Sequence, residues 1–378
     1  MIKKKVCAVA ILLAVIFALT GTPGAFALDV TGTAPQVGGS TGFESALQTA
    51  LNDAWDNLID SLGNNEVLKN LKSKPEDLIK GFGTSSIYAS QGATQRGYGQ
   101  PKYFTFTVGS MVGIKTGTGV GGLGDYFNNI SGELEKGDID LGLNVQAISG
   151  QFNLNMSSWL VKKLDLGVRF GYFKLEEGLL NNVLPGFAFD TFSIGLVANY
   201  QLFQEQTLVP VVLKWRGLSL GTGLIYQKTN MGFGMDLGLN DTVDLGHGAS
   251  LKFDPKLTFN METDTVTIPI EATTAIQLLS FLNITLGAGA DLGFGTNKLN
   301  LGVTSDADLE NLPSGVTQTK AGNLKISSGG EMPPQVFNFK LMTGVGFKFG
   351  PVILDVPLTW YPGKDTGLSL GVTMGFTL

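Results

Sequence analysis

From Tyr103 to the C-terminus the apolar side chains recur at every second position, in segments of about ten residues, with polar residues or glycine between them. Phe104, Phe106, Val108, Val112 and Ile114 alternate with Thr105, Thr107, Gly109 and Gly113, and Leu164, Leu166, Val168, Phe170 and Tyr172 alternate with Asp165, Gly167, Arg169 and Gly171. Period two is the geometry of a strand whose faces meet different surroundings. The pattern repeats through 192–200, 218–226, 231–237, 251–261, 266–276, 282–294, 337–347, 352–360 and 368–376. The segment 141–156 fits as well, with a parity change near Ile148 that a β-bulge would cause. Twelve such strands are each long enough to cross a bilayer at a tilt.

Alternation alone also suits a two-sheet sandwich, so the connections have to decide. If the first strand rises from the periplasm, the three longest connections, 116–140, 175–189 and 296–335, all fall on the outer side, while 157–162, 279–281 and Gly350-Pro351 are short and fall on the other. Aromatic residues gather at strand ends, Trp159, Phe203, Trp215 and Phe281 on one side and Tyr226, Trp360 and Tyr361 on the other, as an interfacial girdle requires. The expected fold is all-β, a transmembrane antiparallel β-barrel. Two apolar pairs in 296–335, Leu299 with Leu301 and Leu324 with Ile326, would add a hairpin and raise the count from 12 strands to about 14.

The N-terminus sets the compartment. Lys3, Lys4 and Lys5 precede an apolar run from Val6 to Leu19, and the small-residue pattern Ala25-Phe26-Ala27 follows, which reads as a secretory signal peptide over 1–27. That run is too short to span a membrane. Cys7 is the sole cysteine and lies inside the signal, so neither a lipid-modified N-terminal cysteine nor a disulfide is expected in the mature chain. Cleavage removes three lysines and no acid, moving the formal charge from −6 to −9, which argues against nucleic acid as a partner. Charged residues make up 15% of the chain, fewer than a soluble domain of this size carries on its surface.

Residues 28–102 form a flexible leader and a helical hatch ahead of the barrel at 103–378. Phe43, Leu47, Leu51, Trp55, Leu58 and Leu62 recur every three to four residues after a capping-box spacing at Thr41 and Glu44, and a second short helix starts at Ser73-Lys74-Pro75-Glu76 and stops at Gly81. Amphipathic helices this short need an apolar surface to lie on, and the barrel lumen is the expected one. Trp55 and Leu58 should then be buried, and both mature termini should be periplasmic.

Several motifs resemble catalytic ones. Gly217-Leu218-Ser219-Leu220-Gly221 and Gly367-Leu368-Ser369-Leu370-Gly371 match a hydrolase nucleophile elbow, but both run on into alternating strand where the elbow needs a strand-to-helix turn. His247, the single histidine, falls on an expected periplasmic turn, far from an outer-rim base. Gly117-Thr118-Gly119-Val120-Gly121-Gly122 has dinucleotide spacing without the helix that must follow, and Asp138 with Asp140 is too little for a calcium loop. No catalysis, metal or cofactor is expected.

The outer loop 175–189 is apolar for a segment facing water. Leu179, Leu180, Val183, Leu184, Phe187 and Phe189 cluster around Pro185 and Gly186, either folded onto the barrel mouth or forming a capture surface for an apolar ligand. Pro255 and Pro269 fall in segments that read as consecutive strands with a turn near Thr263. Counting from that turn sets Pro255 opposite Glu271 and Pro269 opposite Leu257, so this part of the wall should be unpaired or kinked, a bend or a sideways exit, with Thr267, Glu271 or water lining the gap.

Short amphipathic helices ahead of a barrel of about fourteen strands, an apolar outer loop, and Ser90-Gln91-Gly92-Ala93-Thr94-Gln95-Arg96-Gly97-Tyr98 before the first strand together resemble the outer-membrane long-chain fatty-acid transporter (FadL-type) family. The family's Asn-Pro-Ala hatch segment is absent, and the chain ends Phe376-Thr377-Leu378 instead of on an aromatic residue. The resemblance implies uptake of apolar molecules, fatty acids among them, through a plugged barrel that meets outer-membrane lipid and the barrel-assembly machinery. A general diffusion porin and a surface-exposed adhesin or structural barrel are the alternatives.

Overall fold

The computed structural model describes residues 27–40, 42, 44–64, 75–116, 141–157, 161–175, 187–236, 242–246, 249–363 and 366–378. Two helices, α1 (Glu44–Asn64) and α2 (Pro75–Ala89), are followed by a sheet that closes on itself. The ring strands are β3 (Phe104–Thr116), β4 (Leu141–Asn155), β5 (Leu164–Leu175), β6 (Ala188–Phe203), β8 (Leu213–Asp236), β10 (Ala249–Leu278), β11 (Leu282–Glu310), β14 (Phe337–Phe349), β15 (Val352–Tyr361) and β16 (Thr366–Thr377). Each pairs antiparallel with the next, and β16 returns to β3 in the register Thr366↔Thr116 to Thr377↔Thr105. The circuit therefore has ten strands. The sheet as a whole has fourteen, because β1 (Ala27–Thr33), β7 (Gln206–Val209), β9 (Thr242–Gly246) and β13 (Gly322–Met332) pair onto strands of the ring or onto one another. A separate two-stranded ribbon joins β2 (Gln36–Gly39) to β12 (Val316–Lys320). The chain is thus an antiparallel β-barrel with two N-terminal helices, as the alternation and the about fourteen expected strands indicate.

Three strands are far longer than a bilayer requires: β8 has 24 residues, β10 has 30 and β11 has 29. In the sequence, period two divides two of them into shorter segments. The segments 218–226 and 231–236 are one strand, and so are 251–261 and 266–276; Thr263 sits mid-strand, paired with Thr229 on one side and Asn297 on the other, and Leu237 lies outside the described residues. The physical reason is a change of solvent along the strand. On β10 the apolar positions from Val266 to Ile276 are even and face outward, where Ile270 and Ile276 are exposed, while Thr265, Thr267 and Thr273 are buried inside. Above Thr265 the phase inverts. Leu251, Phe259 and Met261, at odd positions, are buried inward, and the outer face carries the ion pairs Lys228–Glu262 (2.5 Å), Lys298–Glu331 (3.7 Å) and Lys252–Glu310 (3.1 Å). Within the ring the outside is apolar and the inside polar; beyond it water lies outside and the helices inside. The extension of β10 over Ala249–Asp264 is therefore about 50 Å long measured along the strand, at ~3.3 Å per residue, and β8 ends sooner, at Asp236.

Pro255 and Pro269 consequently share one strand and do not face each other: Pro255 stands opposite Ser305 and Pro269 opposite Asp291. The pairing of β10 with β8 does pass over Ile268 and Pro269, between Thr267↔Ile225 and Ile270↔Thr222, and the buried Thr267 hydroxyl beside the gap has no hydrogen-bond partner. The proline without an N–H breaks one ladder and leaves the other paired. The bulge expected near Ile148 is present, since Gly109 pairs with Ser149 and Met111 with Gln146, leaving Ala147 and Ile148 opposite Ser110. The expected outer loop 296–335 is mostly strand, with Leu299 and Leu301 in β11 and Leu324 and Ile326 in β13.

The helices divide between two levels. α1 lies on the inner face of the extension, where Leu47, Leu51 and Trp55 are buried against Leu251, Ala307, Leu309, Val316, Leu324 and Ile326. It does not fill the ring; α2 does. Leu58 and Leu62 lie on α1, and Phe43 falls outside the described residues. β1 pairs with β13 in the extension, Ala27↔Gly329 to Thr33↔Asn323, whereas Leu378 accepts hydrogen bonds from Tyr103 and Phe104 at the short-turn end. The start of β1 and the end of the chain thus lie at opposite ends of the barrel.

Leu224 and Asn230 stand on the outer face of β8 six residues apart, one in the apolar band and one above it. Leu224→Arg should cost about 2–4 kcal/mol and Asn230→Arg less than about 1 kcal/mol, measured as urea unfolding of the protein folded into phosphatidylcholine vesicles; equal costs would mean that the band ends elsewhere.

Candidate ligand cavity and luminal segment

α2 begins at Pro75, a residue suited to a first helical turn, with Glu76 and Asp77 placed to interact with its dipole. Its Leu78 and Ile79 pack with Phe259, Met261 and Leu299 at the mouth of the ring. Further down, Ser86 Oγ is 3.2 Å from Thr265 Oγ1, and Tyr88 stacks on Tyr361 with ring centres 3.7 Å apart. The wall comes close here because it lacks side chains: a Cβ at Gly113 or Gly142 would collide with the α2 backbone at Ser85 or Gly81.

After Ala89 the chain continues through the ring as an irregular segment whose polar groups are satisfied by the wall. Gln146 Oε1 accepts from Gly92 N (2.9 Å), and Thr107 Oγ1 donates to Ala93 O (2.6 Å). Arg169 of β5 donates to Ser90 O (3.2 Å), to Thr94 Oγ1 (2.7 Å) and to Gln151 Oε1 (2.5 Å). Arg96 forms a two-pronged pair with Glu271 of β10, Nε to Oε2 at 3.1 Å and Nη2 to Oε1 at 2.7 Å, and donates to Thr359 and Gln91. Lys340 of β14 bridges Glu271 Oε1 (2.5 Å) and Asp291 Oδ1 (2.6 Å), and Asp291 also accepts from Gln91 (2.8 Å) and Tyr361 (3.0 Å). Two cations and two carboxylates form a neutral buried cluster, and only Arg96 comes from the luminal segment.

Below this cluster Tyr98 O accepts from Arg216, whose other nitrogen pairs with Glu205 at 2.8 Å in the short turn after β6. Lys214 adds a second pair at 2.6 Å. Burial of Glu205 favours its neutral form, but the bond from Lys214 and the charge of Arg216 outweigh it and hold the carboxyl below its ordinary pKa. Two small polar cavities remain beside the segment, lined by Gln95, Asn199 and Pro269 among others. Among the described residues, the segment occupies the lumen.

The large cavity lies at the rim, where β5 and β6 end and β8, β10 and β11 continue upward. It holds about 750 Å³ and is lined by Leu175, Phe189, Met231, Phe233 and Met261, with Lys174, Asp190, Asn230, Asn260, Glu262 and Asn300 at its polar edge. Phe233 stacks on Phe259 at 4.8 Å, and Phe259 meets Phe82 of α2 at 6.2 Å. Of the expected capture residues, Phe189 is buried in this wall and Phe187 is half-buried beside it; Leu179, Leu180, Val183 and Leu184 lie outside the described residues, as do His247, Asp138, Asp140 and the glycine run at 117–122. Ser219 and Ser369 stay in strand, facing the lumen, and Ser219 donates to Gln201 (2.9 Å). Met231, Phe233 and Met261 read in the sequence as strand positions and not as a site, because only the tertiary course of β8 and β10 brings them beside Phe189. Nothing in the local pattern singles out Lys340, although a lysine at a lumen-facing position of a strand implies a carboxylate partner.

A closed antiparallel ring with an apolar outer band, a chain-filled lumen and a cavity at one rim defines a plugged β-barrel of the outer-membrane type. The family profile that matches spans residues 27–376 and is described as Lsa36-like; the chain belongs to that family. No curated protein matches. Among solved structures, the toluene transporter TbuX of Ralstonia pickettii matches at 11% identity over 79% of this chain and 99% of its own, with a TM-score of 0.24. The translocator domain of the autotransporter NalP from Neisseria meningitidis matches at 10% identity over 74% and 90%, TM-score 0.28, and a Pseudomonas aeruginosa FadL homologue at 8% identity over 78% and 98%, TM-score 0.24. At these scores the likenesses add nothing to the strand pairing described above.

Removing the carboxylate from the luminal cluster leaves Arg96 without its pair and Lys340 with Asp291 alone. Glu271→Gln should lower stability by about 3–5 kcal/mol, read from guanidinium unfolding in detergent micelles; a loss below about 1 kcal/mol would mean that water already satisfies these charges.

Proposed function

We propose that this chain is a bacterial outer-membrane barrel that takes up apolar small molecules, beginning with their capture in the rim cavity. The observation that carries the reading is the chemistry of that wall: Leu175, Phe189, Met231, Phe233 and Met261 offer aromatic and thioether surface around about 750 Å³, room for a small apolar molecule. In the sequence, the apolar run at 179–187 immediately precedes Ala188 and Phe189 of its lining. Fatty acids fall within the class, and the polar edge holds Lys174, Asn230 and Asn260 for a head group. The luminal segment in the ring supports a plugged barrel over an open diffusion pore.

The test is binding of a fluorescent apolar naphthylamine to the purified barrel in nanodiscs, with empty nanodiscs as the blank. Saturable binding should fall about tenfold or more in Phe189→Ser/Phe233→Ser, because each buried phenyl ring contributes roughly 1.5–3 kcal/mol, while the unfolding midpoint of the variant stays within the range for a folded barrel. Unchanged affinity in a folded variant would remove the cavity from the reading.

A further inference from the structure

We infer that the barrel is threaded by its own chain: residues 27–64 stand on the outer surface of the cell, delivered there through the lumen, and the segment 75–102 is a permanent crossing inside the ring. The inference goes beyond the ligand reading and does not rest on it.

The order of contacts along β10 carries it. Leu78 and Ile79 pack at Phe259 and Met261, Ser86 meets Thr265, Arg96 pairs with Glu271, and Gly97 abuts Ala275. As the luminal chain advances, its partners move steadily from the extension towards the short turn at 279–281. It leaves at that end, where Gln100 donates to Asn155 (3.0 Å) and Asp165 (3.1 Å), and Tyr103 N donates to Leu378 O (2.6 Å). No step doubles back, so the segment traverses the ring once.

What precedes the segment is fastened at the far end. β1 is hydrogen-bonded along β13, β2 along β12, and α1 buries Leu47, Leu51 and Trp55 in the extension. Such a cap cannot be reached from the short-turn end except through the ring. The long strands and their charged outer faces mark the capped end as the one in water away from the membrane, and the short turns mark the other as periplasmic. Ten ring strands place Leu378 on the short-turn side, and the luminal crossing then places β1 on the opposite one. The contacts of Arg96, Arg169 and Gln146 make the crossing a fixed tether, since withdrawing it would leave buried charges and a carboxylate pair unsatisfied.

The experiment uses full-length protein in the outer membrane of expressing cells. Cys7 lies in the expected signal peptide, so an introduced cysteine is the sole thiol of the mature chain. Asp53→Cys on the exposed face of α1 and Ser280→Cys in the short turn are each treated with a membrane-impermeant maleimide, before and after the outer membrane is permeabilised. Asp53→Cys should label to near completion on intact cells, and Ser280→Cys only after permeabilisation. Protection of both on intact cells, or labelling of Ser280→Cys alone, would overturn the assignment. The traverse is tested separately by Ser86→Cys/Thr265→Cys, whose hydroxyls are 3.2 Å apart in the parent: oxidation should cross-link α2 to β10 in folded, outer-membrane protein, with a mobility shift reversed by reduction. No cross-link in protein that is folded by its heat-modifiable migration would place α2 outside the ring and sink the threading.

Discussion

The closure of the backbone hydrogen-bond circuit is the constraint on which everything else here depends. In hydrocarbon an unpaired peptide group costs several kcal/mol, so the wall must pair all the way round, and the β16–β3 seam completes it. Closure fixes the inside as firmly as the outside. Ten strands enclose a narrow lumen, and the inward positions are Thr, Asn, Gln, Asp, Arg and Lys, which need partners. The luminal segment supplies many of them. Pro269 shows how little slack the circuit has: it interrupts the ladder to β8 and keeps the one to β11.

The filling of the lumen and the cavity at the rim are two results of one change along β8, β10 and β11. Where these strands leave the membrane their outer faces become charged, and their inner faces become apolar enough to seat α1 and the first turns of α2. β5 and β6 stop at that level, and their ends leave the step in the wall that Phe189, Met231 and Phe233 line. The cavity wall touches the seat of α2 through Phe233, Phe259 and Phe82, so the rim and the luminal segment share one apolar cluster.

The charged cluster below that level acts as a fastening more than as a source of net stability. Burying Arg96, Glu271, Lys340 and Asp291 carries a desolvation cost that their mutual attraction and the bonds from Gln91, Thr359 and Tyr361 offset. What the arrangement gives is register, because the guanidinium of Arg96 fits one carboxylate at one height in the ring. Hydrophobic packing alone would let a segment rich in Ser, Gly and Ala slide.

The sequence by itself determined the barrel. Period-two alternation with an apolar band is local, repeated and independent of what lies across the sheet, so the strand faces, the bulge near Ile148, the amphipathic α1 and the apolar run ending at Phe189 could all be read from it. It could not determine where strands end, because a strand that passes from lipid into water inverts its apolar phase without turning. Thr263 therefore looked like a hairpin, and Pro255 and Pro269 looked like neighbours, until Thr263↔Asn297 and Pro269↔Asp291 placed them on one continuous strand. The same limit hid the site. Arg96, Glu271, Lys340 and Asp291 are far apart in the chain and meet only once the ring has closed around its own N-terminal segment, since a buried charge is specified by the partner that long-range folding brings to it.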